Sequence, residues 1–310
     1  MRDWIVLETV EGKLYRGYNP AIGGRWLPYV QDAVNCSGLF AAFLLLFASA
    51  AFAAPALPPH LSPTGQDEYR DFLEAADHRA FAIAPGGTYG WTSGEPSAGS
   101  AAEKSLAVCQ GQTEQRCVSF AVDDKIVFDS ANWPHLWRPY ASAAQAKKAT
   151  VGRERGQRMH DLAFRTADGK PRQLSALRGK VVVLHFWGAW CPPCRREMPE
   201  LQKIQQTLAA RSDIAFVVLQ AREKFDVSRQ WAERQGITLP LADSGSSGDE
   251  DTNFRLADGT LVKDREVASR FPTTFVLDRN GLVVFSHVGP VHDWPQYEAF
   301  LRDLADTRMH

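Results

Sequence analysis

Several features that would point to a function are missing from this chain of 310 residues. Its net charge of −1 gives no electrostatic reason to expect nucleic acid as a ligand. There is no glycine-rich loop ending in Lys of the kind that holds nucleotide phosphates. No segment repeats at a fixed period, which argues against a repeat architecture. The content of 45% hydrophobic and 23% charged residues is that of an ordinary globular protein.

Cysteine is also scarce, with only five residues: Cys36, Cys109, Cys117, Cys191 and Cys194. A structural zinc site needs four ligands, and the two close pairs lie in different parts of the chain with the wrong spacing for one site. His185 is the only plausible third ligand beside the second pair, and it lies in the middle of a predicted strand. We therefore expect no metal and no cofactor.

Charged residues are absent from 38–54, a hydrophobic run at the short limit for a membrane-spanning helix. Ala51-Phe52-Ala53 fits a signal peptidase site, although residues 1–33 lack the positive bias of a signal peptide. Residues 1–55 are thus predicted to be an extension with a signal peptide or membrane anchor, the alternative being a buried core helix. Either preferred interpretation places the rest of the chain in the periplasm, in soluble or membrane-anchored form. Cys36 is then removed with the signal or left without a partner.

Residues 60–140 are predicted to form a small α+β domain of unknown function, because short helical and alternating patterns succeed one another. Cys109 and Cys117 enclose a short loop within it. In an oxidising compartment a disulfide is the economical expectation, with two free buried thiols as the alternative. Closing a loop of about nine residues stabilises by roughly 2.5 kcal/mol. Residues 141–158 are small and basic without apolar periodicity, which predicts a linker.

From 159 to 308 the pattern changes to strands and helices in the order β-α-β-α-β-β-α. Val181–Trp187 is a continuous apolar run, typical of a central strand covered on both faces. Asn280-Gly281 joins the last two strands as a hairpin. This order predicts an α/β domain with a central mixed sheet and helices on both faces.

The sequence WCPPC follows that central strand and begins a helix. The first cysteine of such a pair lies at unpaired backbone N–H groups and the positive end of the helix dipole, which favour thiolate over thiol. The second cysteine lies one turn further on and can resolve a mixed disulfide. The pattern predicts a redox disulfide in which Cys191 is the nucleophile, exposed at the helix start, and Cys194 is the resolving thiol.

Gly179–Leu201, together with FPTTFVLDRNG at 271–281, resembles the TlpA/ResA-like disulfide reductases of the thioredoxin superfamily. The resemblance covers roughly residues 157–308. It implies a thioredoxin-like fold outside the cytoplasmic membrane, and protein disulfide substrates such as those of apocytochrome c. It also implies that a membrane thiol donor reduces the dithiol again after each reaction. Both implications together suggest a role in cytochrome c maturation.

The resemblance further implies site residues. Pro272 should be a cis-proline facing the dithiol, and Phe271 should offer backbone groups to a substrate strand. Trp190 and Thr273, which flank the same two motifs, complete the expected substrate-binding set with Phe271 and Pro272.

Glu197 is predicted from the residues themselves as a catalytic group. It lies three residues after Cys194 and on the same stripe as Leu201 and Ile204, so its carboxylate should be partly buried with a raised pKa. It could exchange a proton with the resolving thiol. The alternative is an exposed Glu stabilised by the helix dipole.

Two features depart from the family pattern. His185 occupies a position where thioredoxins carry Asp, so it is either a proton relay, a positive charge that stabilises a thiolate, or a neutral buried side chain. The segment 243–269 lengthens the approach to Pro272, and could shape the substrate face, contact residues 60–140 or be a solvated insertion.

These features predict an extracytoplasmic thiol-disulfide oxidoreductase that reduces protein disulfides. An oxidase or isomerase, and a binding protein with a vestigial dithiol, are the alternatives. Pro192 and Pro193 supply no charge that would stabilise a thiolate, which favours reduction.

Overall fold

The computed structural model describes residues 7–10, 13–16 and 56–307. The chain divides into two compact units, Met1–Ala54 and Pro55–His310. In the first, β1 (Leu7–Val10) pairs antiparallel with β2 (Lys13–Arg16). The predicted hydrophobic run at 38–54 and Cys36 lie outside the described residues. Among the residues that are described, no helix is both long and apolar enough to cross a membrane.

The second unit begins with a small antiparallel sheet that carries two helices. Ser62 and Ser97 begin the helices by accepting hydrogen bonds from the backbone N–H groups of Gly65 and Ser100, as the sequence leads one to expect of N-cap serines. The strands lie in the order β4-β3-β5-β6. The elements are α1 (Pro63–Glu74), β3 (Ala80–Ile83), β4 (Tyr89–Thr92), α2 (Ala98–Gln110), β5 (Val118–Val122), β6 (Lys125–Ile126) and a 3-10 helix (Ser130–Trp137).

The segment 141–158, which the sequence predicts as a linker, contains regular structure. Helix α3 (Ala143–Lys148) begins with a complete capping box between Ser142 and Gln145. The Arg158 guanidinium donates to the carbonyl oxygen of Asn280 at 2.8 Å and ties the segment to the following sheet. The segment lacks the periodic apolar residues that usually predict a helix. The capping box is nevertheless enough to define one short helix that has no hydrophobic face.

The remaining chain forms a seven-stranded mixed sheet in the order β15-β14-β9-β10-β11-β7-β8. Strands β9, β10 and β11 are parallel, and the other neighbours are antiparallel. The predicted α/β class with a central mixed sheet is thereby confirmed. The elements are β7 (Ala163–Thr166), β8 (Pro171–Gln173), β9 (Val181–Trp187), α4 (Pro192–Thr207), β10 (Ile214–Gln220), α5 (Phe225–Arg234), β11 (Leu241–Asp243), β12 (Asn253–Arg255), β13 (Leu261–Lys263), α6 (Asp264–Val267), β14 (Thr273–Leu277), β15 (Val283–Val288) and α7 (Glu298–Asp306).

Every residue of β9 is buried, as expected for an apolar strand with neighbours in the sheet and cover on both faces. Its carboxyl end leads through Gly188–Trp190 into α4. This is the strand-to-helix connection that positions the dithiol.

The small sheet and the large sheet share one hydrophobic core. Trp137 stacks on Phe300 of α7 with ring centroids 4.2 Å apart, and His60 stacks on Tyr297 at 4.0 Å. The Tyr140 hydroxyl donates to Asp303 at 2.8 Å on the same helix. Residues 60–140 therefore pack directly against the last helix of the mixed sheet, and their treatment as a separate domain stays a prediction.

The segment 243–269 contains a hairpin whose turn includes Asp258-Gly259. Strands β12 and β13 pair antiparallel, with Phe254 opposite Val262. The Phe254 ring lies 5.3 Å from the Phe186 ring, so the hairpin is anchored in the core beside β9.

Candidate active site

The two cysteines of WCPPC lie at the start of α4 and are joined as a disulfide. Cys191 is the N-cap residue, and Pro192 and Pro193 occupy the first helical positions, where a missing N–H costs nothing. The backbone N–H of Cys194 donates to the Cys191 sulfur at 3.3 Å. A donor aimed at this sulfur from the positive end of a helix stabilises the thiolate form of Cys191.

The exposure of Cys191 differs from the expectation. In the disulfide form Cys191 is 2% exposed and Cys194 is 0% exposed. The two cysteines are therefore distinguished by their position relative to the start of α4, and not by their exposure.

Glu197 lies on the buried side of α4 and is 4% exposed. Its Oε1 accepts hydrogen bonds from the Trp294 indole at 2.9 Å and the Val291 backbone N–H at 3.1 Å. Its Oε2 is buried without a partner. Burial raises the pKa of Glu197 to about 8 against the opposing effect of these two donors. The carboxyl group is therefore largely protonated at neutral pH and ionises close to it.

Glu197 follows Cys194 by three residues, so the two side chains are neighbours on the helix surface. A buried carboxyl group that ionises near neutrality can accept a proton from an adjacent thiol or return it. The unpartnered Oε2 is the atom free to do so.

His185 is buried in β9, where its Nδ1 lies 2.9 Å from the Thr274 hydroxyl on the neighbouring strand. Its Nε2 has no partner, and burial lowers the pKa to about 3. The ring is therefore neutral at physiological pH and places no positive charge near the dithiol.

The loop before the dithiol is held by residues that the sequence analysis did not identify. The backbone N–H of Ala189 donates to Glu223 at 2.6 Å, and the Ser228 hydroxyl donates to the same carboxylate oxygen. The Trp190 indole donates to the Ala221 carbonyl oxygen at 2.9 Å. Residues 221–223, directly after β10, thus fix the path of the chain into Cys191.

Phe271 and Pro272 are joined by a cis peptide bond directly before β14. The Phe271 ring lies 5.6 Å from the Trp190 ring in an edge-to-face arrangement. Trp190 is 45% exposed, whereas Thr273 is fully buried and donates its hydroxyl to the Arg270 carbonyl oxygen at 2.6 Å. The structure therefore brings Trp190 and Phe271 together beside the dithiol and keeps the Thr273 side chain inside.

The other disulfide predicted from the sequence is present, between Cys109 and Cys117. Cys109 lies in the last turn of α2 and is fully buried. The two sulfurs pack with Ala82 and Ala84 in a small cluster apart from the main core.

Comparison with known proteins places this geometry in a family. Residues 154–301 match the Redoxin family. The thioredoxin-like protein YneN of Bacillus subtilis is 31% identical over 143 residues, which are 46% of this chain and 76% of YneN. The chain belongs to the thioredoxin superfamily, in its TlpA/ResA-like group. The resemblance stated from the motifs is thus confirmed.

Other members of the superfamily are similar over a comparable share of the chain. The thiol-disulfide oxidoreductase ResA of Geobacillus thermodenitrificans is 31% identical over 41% of this chain and 66% of its own length. A solved thiol:disulfide interchange protein of the thioredoxin family from Chlorobium tepidum is 26% identical, with a TM-score of 0.35 over 48% of this chain and 97% of that chain. This TlpA/ResA-like protein is a thiol-disulfide oxidoreductase.

Proposed function

We propose that the protein reduces disulfides of other proteins outside the cytoplasm, with Cys191 as nucleophile and Cys194 as resolving thiol. The observation that carries this proposal is the Cys191–Cys194 pair at the start of α4 beside buried Glu197. The matched relatives support thiol-disulfide exchange in general. The direction of electron flow, the compartment and the partners are proposals.

The proposed reaction begins with reduced protein. The Cys191 thiolate attacks one sulfur of a substrate disulfide, forms a mixed disulfide and releases the other substrate sulfur as a thiolate. Cys194 then loses its proton to Glu197 in molecules where that carboxyl group is ionised, a minor but accessible form near neutrality because its pKa is about 8, and attacks the Cys191 sulfur. The Cys191–Cys194 bond forms, and the second substrate sulfur leaves as a thiol once protonated. Two electrons have passed from the protein dithiol to the substrate.

Two properties of the site support the reducing direction. Pro192 and Pro193 contribute no charged or hydrogen-bonding side chain to hold a thiolate, and His185 is neutral. Without such stabilisation the reduced form of the dithiol is not favoured over the disulfide. The reduction potential of the pair is then more negative, and the protein is a stronger reductant. Glu197 adds little negative charge at pH 7, because burial keeps most of it protonated. Its proposed contribution is proton exchange.

The substrate is proposed to lie against Trp190, Phe271 and Pro272, with Thr273 supporting this edge from inside. Candidate substrates are proteins with exposed disulfides, including apocytochrome c, and the proposed donor is a membrane thiol protein. The hydrophobic run at 38–54 is proposed to export or anchor the chain toward the periplasm.

Equilibration with a glutathione buffer tests the direction. The variant Cys109→Ala/Cys117→Ala should be used beside the unmodified protein, so that the measured couple belongs to Cys191–Cys194. We expect about −270 mV, close to thioredoxin, and far from the strong oxidants near −120 mV. A potential above about −150 mV would show an oxidase or isomerase and would refute the reducing direction.

Trapping tests the substrates. In Cys194→Ala the mixed disulfide on Cys191 cannot be resolved, so a physiological partner should stay linked to it. Cys191→Ala/Cys194→Ala is the matched control for partners held by other contacts. Equal capture by both variants would count against covalent exchange.

A further inference from the structure

Positive charge lies beside the exposed Trp190 ring and the buried Phe271 ring that packs against it. Arg265 places its guanidinium carbon 5.2 Å from the centre of the Phe271 ring, and Arg222 does so at 5.9 Å. Arg222 is already paired, since its guanidinium contacts the buried Asp264 carboxylate at 2.5 and 3.0 Å. Among residues 56–307, the Arg265 guanidinium has a single hydrogen-bond partner, the Ser269 carbonyl oxygen at 2.7 Å. Its charge is thus available to a partner of the protein.

Two further arginines lie on the first turns of α4. Arg195 and Arg196 are exposed, and the Arg195 backbone N–H donates to the Cys191 carbonyl oxygen at 3.1 Å. Long side chains on a helix extend back over the preceding turn. This general preference predicts that both guanidinium groups are directed toward the end of the helix that carries Cys191.

The fourth member of this border is Arg270, exposed and directly before Phe271. Within residues 56–307, none of these four arginines forms an ion pair with a carboxylate of the chain. The nearby carboxylates of Glu197 and Asp264 are buried, and Glu266 is the exposed acidic residue on this stretch. The border carries an excess of positive charge. We name it the arginine rim, and it consists of Arg195, Arg196, Arg265 and Arg270.

We propose that the arginine rim selects protein substrates whose disulfide is flanked by Asp or Glu. This inference rests on the proposed function and specifies its substrate class. An exposed Trp at the centre of a surface with a charged border is the arrangement of a protein-binding site, with the aromatic contact supplying affinity and the charges supplying rate and specificity. We favour a protein segment over an anionic membrane as the partner of the arginine rim. The adjacent dithiol exchanges with sulfur atoms, which a protein disulfide supplies and a lipid headgroup does not.

Two synthetic peptides test the proposal. Each contains one intramolecular disulfide, flanked by Glu in one peptide and by Lys in the other, with otherwise identical sequence. The rate constant for reduction by the pre-reduced protein is measured at about 0.01 M and about 1 M salt, where the screening length falls from about 30 Å to about 3 Å. Reduction by dithiothreitol corrects for differences between the peptides themselves.

We expect the acidic peptide to react about tenfold faster at low salt, and the ratio to approach one at high salt. Arg195→Gln/Arg196→Gln and Arg265→Gln/Arg270→Gln should each lower the ratio about threefold or more. Arg195→Lys/Arg196→Lys should keep it, and so should Arg172→Gln on edge strand β8. The ratio is the decisive quantity, because a change in Cys191 ionisation would alter both rates equally.

An acidic-to-basic rate ratio of one at low salt would overturn the proposal, and so would a ratio that stays unchanged in both rim variants. Either result would overturn it even if the arginine rim proved to bind anionic vesicles. The same ratio should appear when oxidised protein is reduced by the corresponding dithiol peptides. A protein that proves to be an oxidase yet prefers acidic peptides would refute the reducing direction and leave the rim assignment standing.

Discussion

The two disulfides of this protein lie at opposite ends of their helices. Cys191 caps the N-terminus of α4, where an N–H donor and the positive end of the dipole face its sulfur. Cys109 lies in the last turn of α2, where the dipole presents its negative end and disfavours a thiolate. Both pairs are buried, so burial does not distinguish the proposed redox dithiol from the proposed structural link; the position of the cysteine along its helix does.

The strongest way to break this comparison is to remove one pair at a time. Cys191→Ala should abolish disulfide exchange, a loss of at least about 10³-fold, because the remaining thiol of the site, Cys194, is fully buried and cannot replace Cys191 as the nucleophile toward a substrate. Cys109→Ala/Cys117→Ala should retain most of the activity. The measurement is insulin or model-peptide reduction with a thiol donor, after circular dichroism has shown that both variants are folded. Comparable losses in both would contradict the assignment.

Selective reduction sharpens the comparison. A mild dithiol buffer should open Cys191–Cys194 and leave Cys109–Cys117 closed, because structural disulfides have more negative potentials. After reduction, Cys191 should react with iodoacetamide at least about tenfold faster than Cys194 at neutral pH. Peptide mapping by mass spectrometry measures both. Faster labelling of Cys194, or a free Cys109, would disprove this prediction.

The carboxyl group beside the working pair gives a pH dependence that the other pair lacks. The pKa of Glu197 rises from 4.5 to about 8 on folding, so ionisation favours the unfolded chain. Relative to Glu197→Gln, the protein should lose stability as pH rises from about 4.5 through about 8, by up to a few kcal/mol. Urea unfolding of the oxidised proteins at about pH 5 and about pH 9 measures this.

Exposed Glu266→Gln is the matched control for Glu197→Gln and should show no such trend. If Glu197→Gln and the unmodified protein differ equally at both pH values, Glu197 ionises normally and its role as a proton acceptor near neutrality fails.

The smallest expected effect belongs to the structural link. Cys109→Ala/Cys117→Ala should lower stability by about 2.5 kcal/mol, the chain-entropy value for a loop of this length. For a unit of this size that corresponds to a fall in Tm of about 5–10 °C. Calorimetry under oxidising conditions measures it, with Cys191→Ala/Cys194→Ala as the matched control. No change in Tm would mean that the link does not constrain the unfolded chain.

Local patterns predicted the elements that carry the dithiol. The apolar run of β9, the prolines after Cys191 and the helical stripe through Glu197 are each visible in a few consecutive residues. The burial of Glu197 followed from that stripe alone. The hairpin β7–β8 was missed, although Asp168-Gly169 gave a turn signal for it.

The partners of the site could not be predicted, because they come from distant parts of the chain. Trp294 lies 97 residues from Glu197, and Glu223 lies 34 residues from Ala189. Neither has a local pattern that relates it to the dithiol. Only the topology, which places the ends of β9 and β10 side by side, brings Glu223 to the loop before Cys191.

The stacking of Trp137 on Phe300 has a practical consequence for dissecting this chain. Cutting at about residue 157 would isolate the half that resembles its relatives, but it would leave Phe300 and Tyr297 without their aromatic cover. The excised half would expose an apolar surface patch that favours aggregation. A truncated protein meant to remain soluble should therefore begin before His60. The aromatic residues that cover Tyr297 and Phe300 are then retained.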